Sequence, residues 1–199
     1  MKISSECIGC IFDKQVKVAN QYDSPLNIEF LKKVSLYLST ISENMSSVEL
    51  STVFSEMQYS FFGKKQDFAE KKRYANTWAL SVEDDIRKKI NSSADPIRCA
   101  LKYAIVGNYL DYAVIDEVKE VQLLELLEQL NDDFFMENDS VSLFLYDITH
   151  AKKIVYITDN CGEIVFDKLF MEQILQKYNV DIDVIVRGVS VLNDATIDD

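Results

Sequence analysis

The chain has 199 residues, of which 48% are hydrophobic and 27% charged. This length and composition fit one domain or slightly more, and they exclude both wholesale disorder and a large multidomain assembly. Twenty-one Lys and Arg against 33 Asp and Glu give a net charge of −12 at pH 7, which repels nucleic-acid phosphates and anionic lipids. We therefore expect no nucleic-acid partner and no membrane partner.

Five Gly and two Pro are too few for a turn-rich all-β protein, so helices should dominate. Charged residues interrupt the N-terminal sequence before it forms an apolar stretch long enough for a signal peptide. This pattern predicts a soluble cytoplasmic protein. The four cysteines do not predict a disulfide framework. Cys7-x-x-Cys10 is half of a zinc-site pattern, but no second close pair follows and His150 could supply one ligand only. The simpler interpretation is that Cys7 and Cys10 are two half-buried residues at the start of a helix.

Apolar residues recur every three or four positions through the first two thirds of the chain, which is typical of amphipathic helices. We predict helices over residues 7–21, 26–41, 48–62, 67–90, 96–113 and 118–130, the fourth of them open to a break. Asp95-Pro96 is a strong start signal for the fifth, because Asp accepts from free helix amides and Pro suits the first helical position.

The pattern changes after a polar stretch at residues 131–139. A helix over 140–151 is followed by a strand over 154–158, a helix over 163–178 and a strand over 182–186. Strand, helix and strand in this order form a βαβ unit with parallel strands. The prediction is therefore an α/β protein with a helical region at residues 1–135 and an α/β region at residues 136–199.

Polar residues follow both predicted strands, where ligand sites of open α/β sheets lie. They are Asp159-Asn160-Cys161-Gly162-Glu163 after the first strand, and Arg187-Gly188 with Asn193-Asp194-Ala195-Thr196 after the second. Asp159, Asn160 and Asp194 offer hard oxygen ligands that suit Mg²⁺ or Mn²⁺. Gly162 allows close backbone approach, and the amides at the following helix start could bind an anion. The alternative is an ordinary turn and helix cap.

The fifth predicted helix carries Gly107, Asn108 and Asp111 on or beside its apolar stripe. The two polar side chains either cap a neighbouring element or reach the βαβ edge and contact a substrate. Gly107 costs helix stability of about 1 kcal/mol relative to Ala, which indicates close packing at that point.

These residues resemble the damage-control phosphatase family, formerly domain of unknown function 89. The similar segments, in the same order, are Glu6-Cys7-Ile8-Gly9-Cys10, the Pro96 helix through Asn108 to Asp111, residues 154–167, and residues 186–188 with 193–196. The family's helical segment that carries Lys and Asn is matched by Lys72 and Asn76, although its usual Asp-Pro-Tyr is Gln66-Asp67-Phe68 here.

The resemblance implies a helical N-terminal part on a Rossmann-like αβα core, and phosphatase activity toward small phosphorylated metabolites that depends on Mn²⁺ or Mg²⁺. Asp159, Asn160 and Asp194 would be the metal ligands, with Asp159 and Asp194 also catalytic. The residues expected around the substrate are Asn108, Asp111, Gly162, Glu163, Asp167, Arg187 and Asn193.

Family members continue through further strands to a Lys-Gly-x-Gly-Asn segment that has no match here, so we expect Asp199 to mark a truncation and this chain to turn over weakly. Two other functions stay open. A branch of the family is proposed to methylate carboxyl groups with S-adenosylmethionine, and a shortened chain could act as a binding module without enzymatic activity.

Overall fold

The computed structural model describes residues 3–42, 44–64, 67–108 and 139–199. Its elements are α1 (Ser5–Asn20), α2 (Asn27–Leu38), α3 (Ser47–Phe62), α4 (Ala69–Ser92), α5 (Pro96–Gly107), α6 (Asp139–His150), β1 (Lys153–Ile157), α7 (Glu163–Lys177) and β2 (Asp181–Ile185). They group into two compact units, an N-terminal unit (Met1–Asp67) and a C-terminal unit (Phe68–Asp199).

In the N-terminal unit, α1, α2 and α3 pack around an aromatic and aliphatic core. Its fully buried side chains are Ala19, Phe30, Val34, Leu50 and Phe54. The start of α3 is fixed by a capping box, because Ser46 accepts from the Glu49 amide and the Glu49 side chain accepts from the Ser46 amide. Gly63, at φ 68°, ends α3 in the left-handed conformation that glycine favours.

In the C-terminal unit, α4, α5 and α7 share one core with the sheet. Its large buried side chains include Ile86, Ile90, Val106, Phe166 and Phe170. Within the described residues, β1 and β2 form a two-stranded parallel sheet in which Ile154 lies beside Ile182 and Ile157 beside Ile185. Helix α7 connects the two strands, so the predicted βαβ unit is confirmed.

The helices and strands also lie close to their predicted positions, with the largest difference at the end of α2, which stops at Leu38. Helix α4 runs without a break from Ala69 to Ser92. The predicted helix 118–130, the extension of α5 to residue 113 and the predicted division at residue 135 lie outside the described residues. In the part of the chain that the structure describes, no helix combines the length and apolar character that a membrane crossing requires.

Candidate functional site

The loops that follow β1 and β2 lie side by side and exchange backbone hydrogen bonds. The Ala195 amide donates to the carbonyl of Asp159 at 2.7 Å, and the Cys161 amide donates to the carbonyl of Asn193 at 2.8 Å. Asn160 and Asp194 form an isolated antiparallel bridge between them. The structure therefore brings together the backbones of all three predicted metal ligands at one edge of the sheet.

Asn160 is buried, and its carboxamide is held by hydrogen bonds on both sides. Its Nδ2 donates to Oε2 of Glu163 at 2.9 Å, and its Oδ1 accepts from Nδ2 of Asn193 at 2.9 Å. Glu163, the first residue of α7, also accepts from Nδ2 of Asn108 at 3.1 Å. Asn108 thus reaches the βαβ edge, which is one of the two roles that its sequence position left open.

Two buried carboxyl groups lie on the first turns of α7. Burial raises the pKa of Glu163, opposed by hydrogen bonds from Asn160 and Asn108. Burial also raises the pKa of Asp167 to about 7, although Tyr156 donates its hydroxyl to Oδ1 of Asp167 at 2.6 Å and thereby favours the charged form. Asn108, Tyr156, Glu163 and Asp167 line one open cleft of about 590 Å³. A cleft of this size can take a small metabolite.

Asp194 has a strong cationic neighbour. Nε of Arg187 donates to Oδ2 of Asp194 at 2.5 Å, with the Asp194 side chain 11% and the Arg187 side chain 47% exposed. Backbone hydrogen bonds hold both residues, because the Arg187 amide donates to the Ala195 carbonyl and the Asp194 amide to the Val191 carbonyl, each at 3.0 Å. An arginine at this edge suits recognition of a phosphate or carboxylate.

Asn193 carries a buried polar atom that indicates a ligand. The residue is 1% exposed, and no group in the described part of the chain gives its Oδ1 a hydrogen bond. Buried oxygens without a partner are rare in folded proteins. An unsatisfied amide oxygen beside Asn160 therefore fits a site that binds a cation or a hydrogen-bond donor.

The donor chemistry at this edge fits a hard divalent cation. Asp159 is exposed and precedes Asn160 in the chain, whereas Asp194 is buried and its backbone is bridged to that of Asn160. Among the described residues, no three His, Cys, Asp or Glu side chains converge as a metal cluster, so the candidate set depends on asparagine oxygen as well as on carboxylates. Mg²⁺ and Mn²⁺ accept such mixed oxygen sets.

Other predicted residues have different outcomes. Gly162 adopts φ 84°, as only glycine does readily, but its amide donates to Oδ1 of Asn76 at 2.7 Å and is already engaged. Asp111 lies outside the described residues. Cys7 and Cys10 both lie on α1, where Cys7 is half-buried and Cys10 is exposed rather than half-buried.

Sequence reasoning gave no role to the polar face of α4. Lys72 pairs with Asp199 at 2.7 Å, and Asn76 contacts Gly162 and Asp199. The sequence did single out Lys72 and Asn76, because this segment resembles the family's helical segment that carries Lys and Asn. It did not predict which groups the two side chains would contact.

A parallel βαβ unit with oxygen-bearing loops at the strand ends defines an α/β protein with a candidate ligand site at the sheet edge. The family profile of the Damage-control phosphatase ARMT1-like domain matches residues 3–199. The chain therefore belongs to the damage-control phosphatase ARMT1-like family, which confirms the resemblance seen in its sequence.

Curated relatives match over all of this chain. A Pyrococcus horikoshii protein named damage-control phosphatase PH1575 is 28% identical, and the match covers 68% of its length. An Archaeoglobus fulgidus damage-control phosphatase is 30% identical with 69% covered, and the uncharacterized protein MJ0202 of Methanocaldococcus jannaschii is 29% identical with 66% covered. The crystal structure of the DUF89 family protein PH1575 superposes with a TM-score of 0.75 at 25% identity, covering this whole chain and 68% of that one. This match confirms the fold class.

Proposed function

We propose that this chain carries the site of a divalent-metal-dependent phosphatase that acts on small phosphorylated metabolites, with Mn²⁺ or Mg²⁺ as the cofactor. The observation that carries the proposal is the pairing of the two loops, in which the Ala195 amide donates to the Asp159 carbonyl at 2.7 Å and Asn160 bridges Asp194. The names of the Pyrococcus and Archaeoglobus relatives support a phosphatase reaction.

Asp159, Asn160 and Asp194 would hold the metal. Arg187 engages Oδ2 of Asp194, so this carboxylate still has Oδ1 to offer. When bound, Mn²⁺ or Mg²⁺ supplies charge neutralisation of phosphoryl oxygens and lowers the pKa of a water molecule. Asn193 donates to Oδ1 of Asn160 and so fixes the direction in which that oxygen points.

The remaining residues would bind and orient the metabolite. The guanidinium of Arg187 carries N–H groups beyond the Nε that contacts Asp194, and these can donate to phosphoryl oxygens. Glu163 and Asp167 line the cleft beside Asn108 and can accept hydrogen bonds from hydroxyl groups of a sugar. The apolar side of the cleft, with Phe144 and Phe170, would limit water access.

Calorimetric titration with Mn²⁺, together with phosphate release from sugar phosphates, tests the proposal. Wild-type protein should bind Mn²⁺, and replacing both Asp159 and Asp194 by Asn should abolish binding and reduce any metal-stimulated phosphate release by about 100-fold or more. Asp183→Asn is the matched control, because Asp183 is an exposed β2 carboxylate that pairs with Lys153 at 2.6 Å.

Each alternative has its own result. If the folded wild-type protein gives no Mn²⁺ binding, the binding-module function is favoured and the proposal fails. Saturable binding of S-adenosylmethionine without phosphate release would favour the methyltransferase. Undiminished Mn²⁺ binding by the double variant would show that these carboxylates are not the ligands.

A further inference from the structure

Two polar side chains on the first turns of α4 contact both loops of the candidate site. Lys72 and Asn76 lie one helical turn apart and so share one face of the helix. Lys72 is 8% exposed, an unusual burial for a lysine, which requires a charged partner. Asn76 contacts Gly162 in the loop after β1, and both side chains contact Asp199 after β2, so together they link the two loops to one helix.

Asn76 fixes the loop after β1. Its Oδ1 accepts from the Gly162 amide at 2.7 Å, where the backbone has a positive φ of 84° and a ψ of −52°. A peptide unit in such a conformation is held by its surroundings rather than by helix or strand geometry. Gly162 follows Asp159 and Asn160 closely, so the Asn76 contact constrains the direction in which the loop presents them.

Asp199 connects the same helix face to the loop after β2. Its Oδ2 accepts from Nζ of Lys72 at 2.7 Å, from the Thr196 amide at 3.0 Å and from Oγ1 of Thr196 at 2.9 Å. Its Oδ1 accepts from Nδ2 of Asn76 at 3.2 Å. Thr196 lies two residues after Asp194. The Asp199 carboxylate therefore bridges α4 and the second ligand-bearing loop.

Polar side chains on the later turns of α4 have partners elsewhere in the part of the chain that the structure describes. Oδ1 of Asn91 accepts from Nε2 of Gln173 at 3.2 Å, and Arg87 pairs with Glu83 and Glu172. These contacts join the later turns of α4 to α7 or stay within α4, and they involve no residue of the two loops. Lys72 and Asn76 thus bind the loops, whereas the contacts on the later turns of α4 hold helices together.

We propose that Lys72, Asn76 and Asp199 form a clamp that sets the position of the two ligand-bearing loops relative to each other. These three are positioning residues, because they act through Gly162 and Thr196 rather than by touching the metal or substrate. The inference rests on the proposed function, since it assigns Asp159, Asn160 and Asp194 as ligands. Hydrogen-bond partners behind metal ligands typically change metal affinity by about 10- to 100-fold when removed.

The first test compares two asparagines of α4. Asn76→Ala should weaken Mn²⁺ binding about 10-fold in calorimetric titration. Asn91→Ala removes a hydrogen bond between α4 and α7 of the same chemical type and should leave Mn²⁺ affinity unchanged. Equal loss of affinity in both variants would show a general effect of α4 packing and would overturn the clamp.

A charge exchange separates positioning from a simple loss of stability. Asn76→Asp places a second carboxylate against Asp199, so Mn²⁺ binding should weaken. Adding Asp199→Asn restores an acid–amide pair with the direction of donation reversed, and it keeps a carboxylate one turn from Lys72. The double variant should regain Mn²⁺ affinity to within about threefold of wild type. Failure of the exchange to recover any affinity would contradict the clamp.

Hydrogen exchange without metal tests the clamp even if the metal proposal fails. In Asn76→Ala, peptides over residues 159–163 and 193–196 should exchange faster than in wild type, whereas Asn91→Ala should leave both unchanged. If wild-type protein binds no Mn²⁺ but these loops respond, the proposed function fails and the clamp stands. Unchanged exchange in both loops of Asn76→Ala would overturn the clamp, whatever the metal result.

Discussion

The two units bury polar groups in different ways. Among the described residues, the N-terminal unit buries Gln15 and Gln58, and Nε2 of Gln58 donates to Oε1 of Gln15 at 2.8 Å. The buried polar residues of the C-terminal unit are Lys72, Thr158, Asn160, Glu163, Asp167, Gln173, Asn193 and Asp194. Most of this second set lies in or beside the loops after the strands. Because burial of polar groups is unfavourable unless each is paired, such a concentration indicates a site rather than a core.

The difference follows from what each helix presents to its core. The N-terminal unit is closed by aromatic rings, with the Phe30 ring 5.1 Å from Phe62 and 5.6 Å from Phe61 in edge-to-face contacts. In the C-terminal unit, α7 buries Glu163 and Asp167 on its first turns, one turn apart. The N-terminal unit thus gains stability from its core, whereas the C-terminal unit gives up some stability to keep carboxylates out of water.

We expect the largest effect from Asp167→Asn, which tests directly whether burying this carboxylate costs stability. Burial raises the pKa of Asp167 to about 7 from 3.8, so the folded protein keeps a proton that the unfolded chain releases. Wild-type stability should therefore fall as the pH rises from about 4 to 7 and level off above about 7. Asparagine stays neutral and can still accept from Tyr156, so the variant should be more stable at pH 8, by on the order of 3 kcal/mol.

Urea unfolding at several pH values, followed by fluorescence, measures this difference. Trp78 is the single tryptophan of the chain, and its ring lies 6.3 Å from that of Phe166 in the C-terminal unit. Tyr156→Phe is the companion variant, because it removes the hydrogen bond that favours the charged carboxylate, raises the pKa of Asp167 further and should extend the decline to higher pH. Identical pH slopes for wild type and Asp167→Asn would mean that Asp167 does not destabilise the fold.

The second prediction compares one glycine from each unit. A Cβ added at Gly107 would lie 2.8 Å from Cδ2 of Phe166 and 3.4 Å from Cα of Glu163, whereas one added at Gly9 meets nothing within 4 Å. Gly107→Ala should therefore destabilise the protein by about 1–3 kcal/mol through overpacking. Gly9→Ala should stabilise α1 by about 0.5–1 kcal/mol, since alanine favours a helix interior. Thermal unfolding monitored by circular dichroism and by Trp78 fluorescence distinguishes the two.

The glycine pair also has a functional readout. Gly107 precedes Asn108, whose side chain donates to Glu163, so displacement of α5 from α7 should reduce any substrate affinity of the site. Gly9→Ala should leave that affinity unchanged. Stabilisation by Gly107→Ala would contradict the close packing of α5 against α7.

Much of this fold could be predicted from local patterns. The β-branched run before Thr158 identified β1, and Asp95-Pro96 marked the start of α5, where Asp95 Oδ1 accepts from the Arg98 amide at 3.2 Å. The close packing at Gly107 could also be predicted, because glycine in the interior of the predicted helix 96–113 is unfavourable and so indicates limited space. These features depend on neighbours within a few residues.

The site could be predicted only in outline. Chain order and the rule for parallel strands indicated that the loops after β1 and β2 meet. Neither could show that Asn76 would accept from the Gly162 amide, or that Arg187 would donate to Asp194, because other polar side chains could have made the same contacts. Asn76 and Gly162 lie 86 residues apart and meet through the packing of α4 against α7, whereas the Arg187 contact depends on the fold of the loop after β2. Neither can be read from a local pattern.

The smallest expected effect concerns the buried polar pair of the N-terminal unit. Gln58→Ala leaves Oε1 of Gln15 without its donor, which should destabilise this unit by about 1–2 kcal/mol. Replacing both Gln15 and Gln58 by Met removes both polar groups at similar volume and should recover most of that loss. Hydrogen exchange in α1 and α3 measures the change.

Mn²⁺ affinity decides whether that pair is purely structural. It should be the same in wild type, Gln58→Ala and the double methionine variant, because the hydrogen bond between the glutamines lies within the N-terminal unit and the proposed ligands lie in the C-terminal unit. Weaker Mn²⁺ binding in Gln58→Ala, with recovery in the double variant, would mean that the stability of the N-terminal unit is coupled to the site. The division between a structural unit and a functional unit would then be wrong.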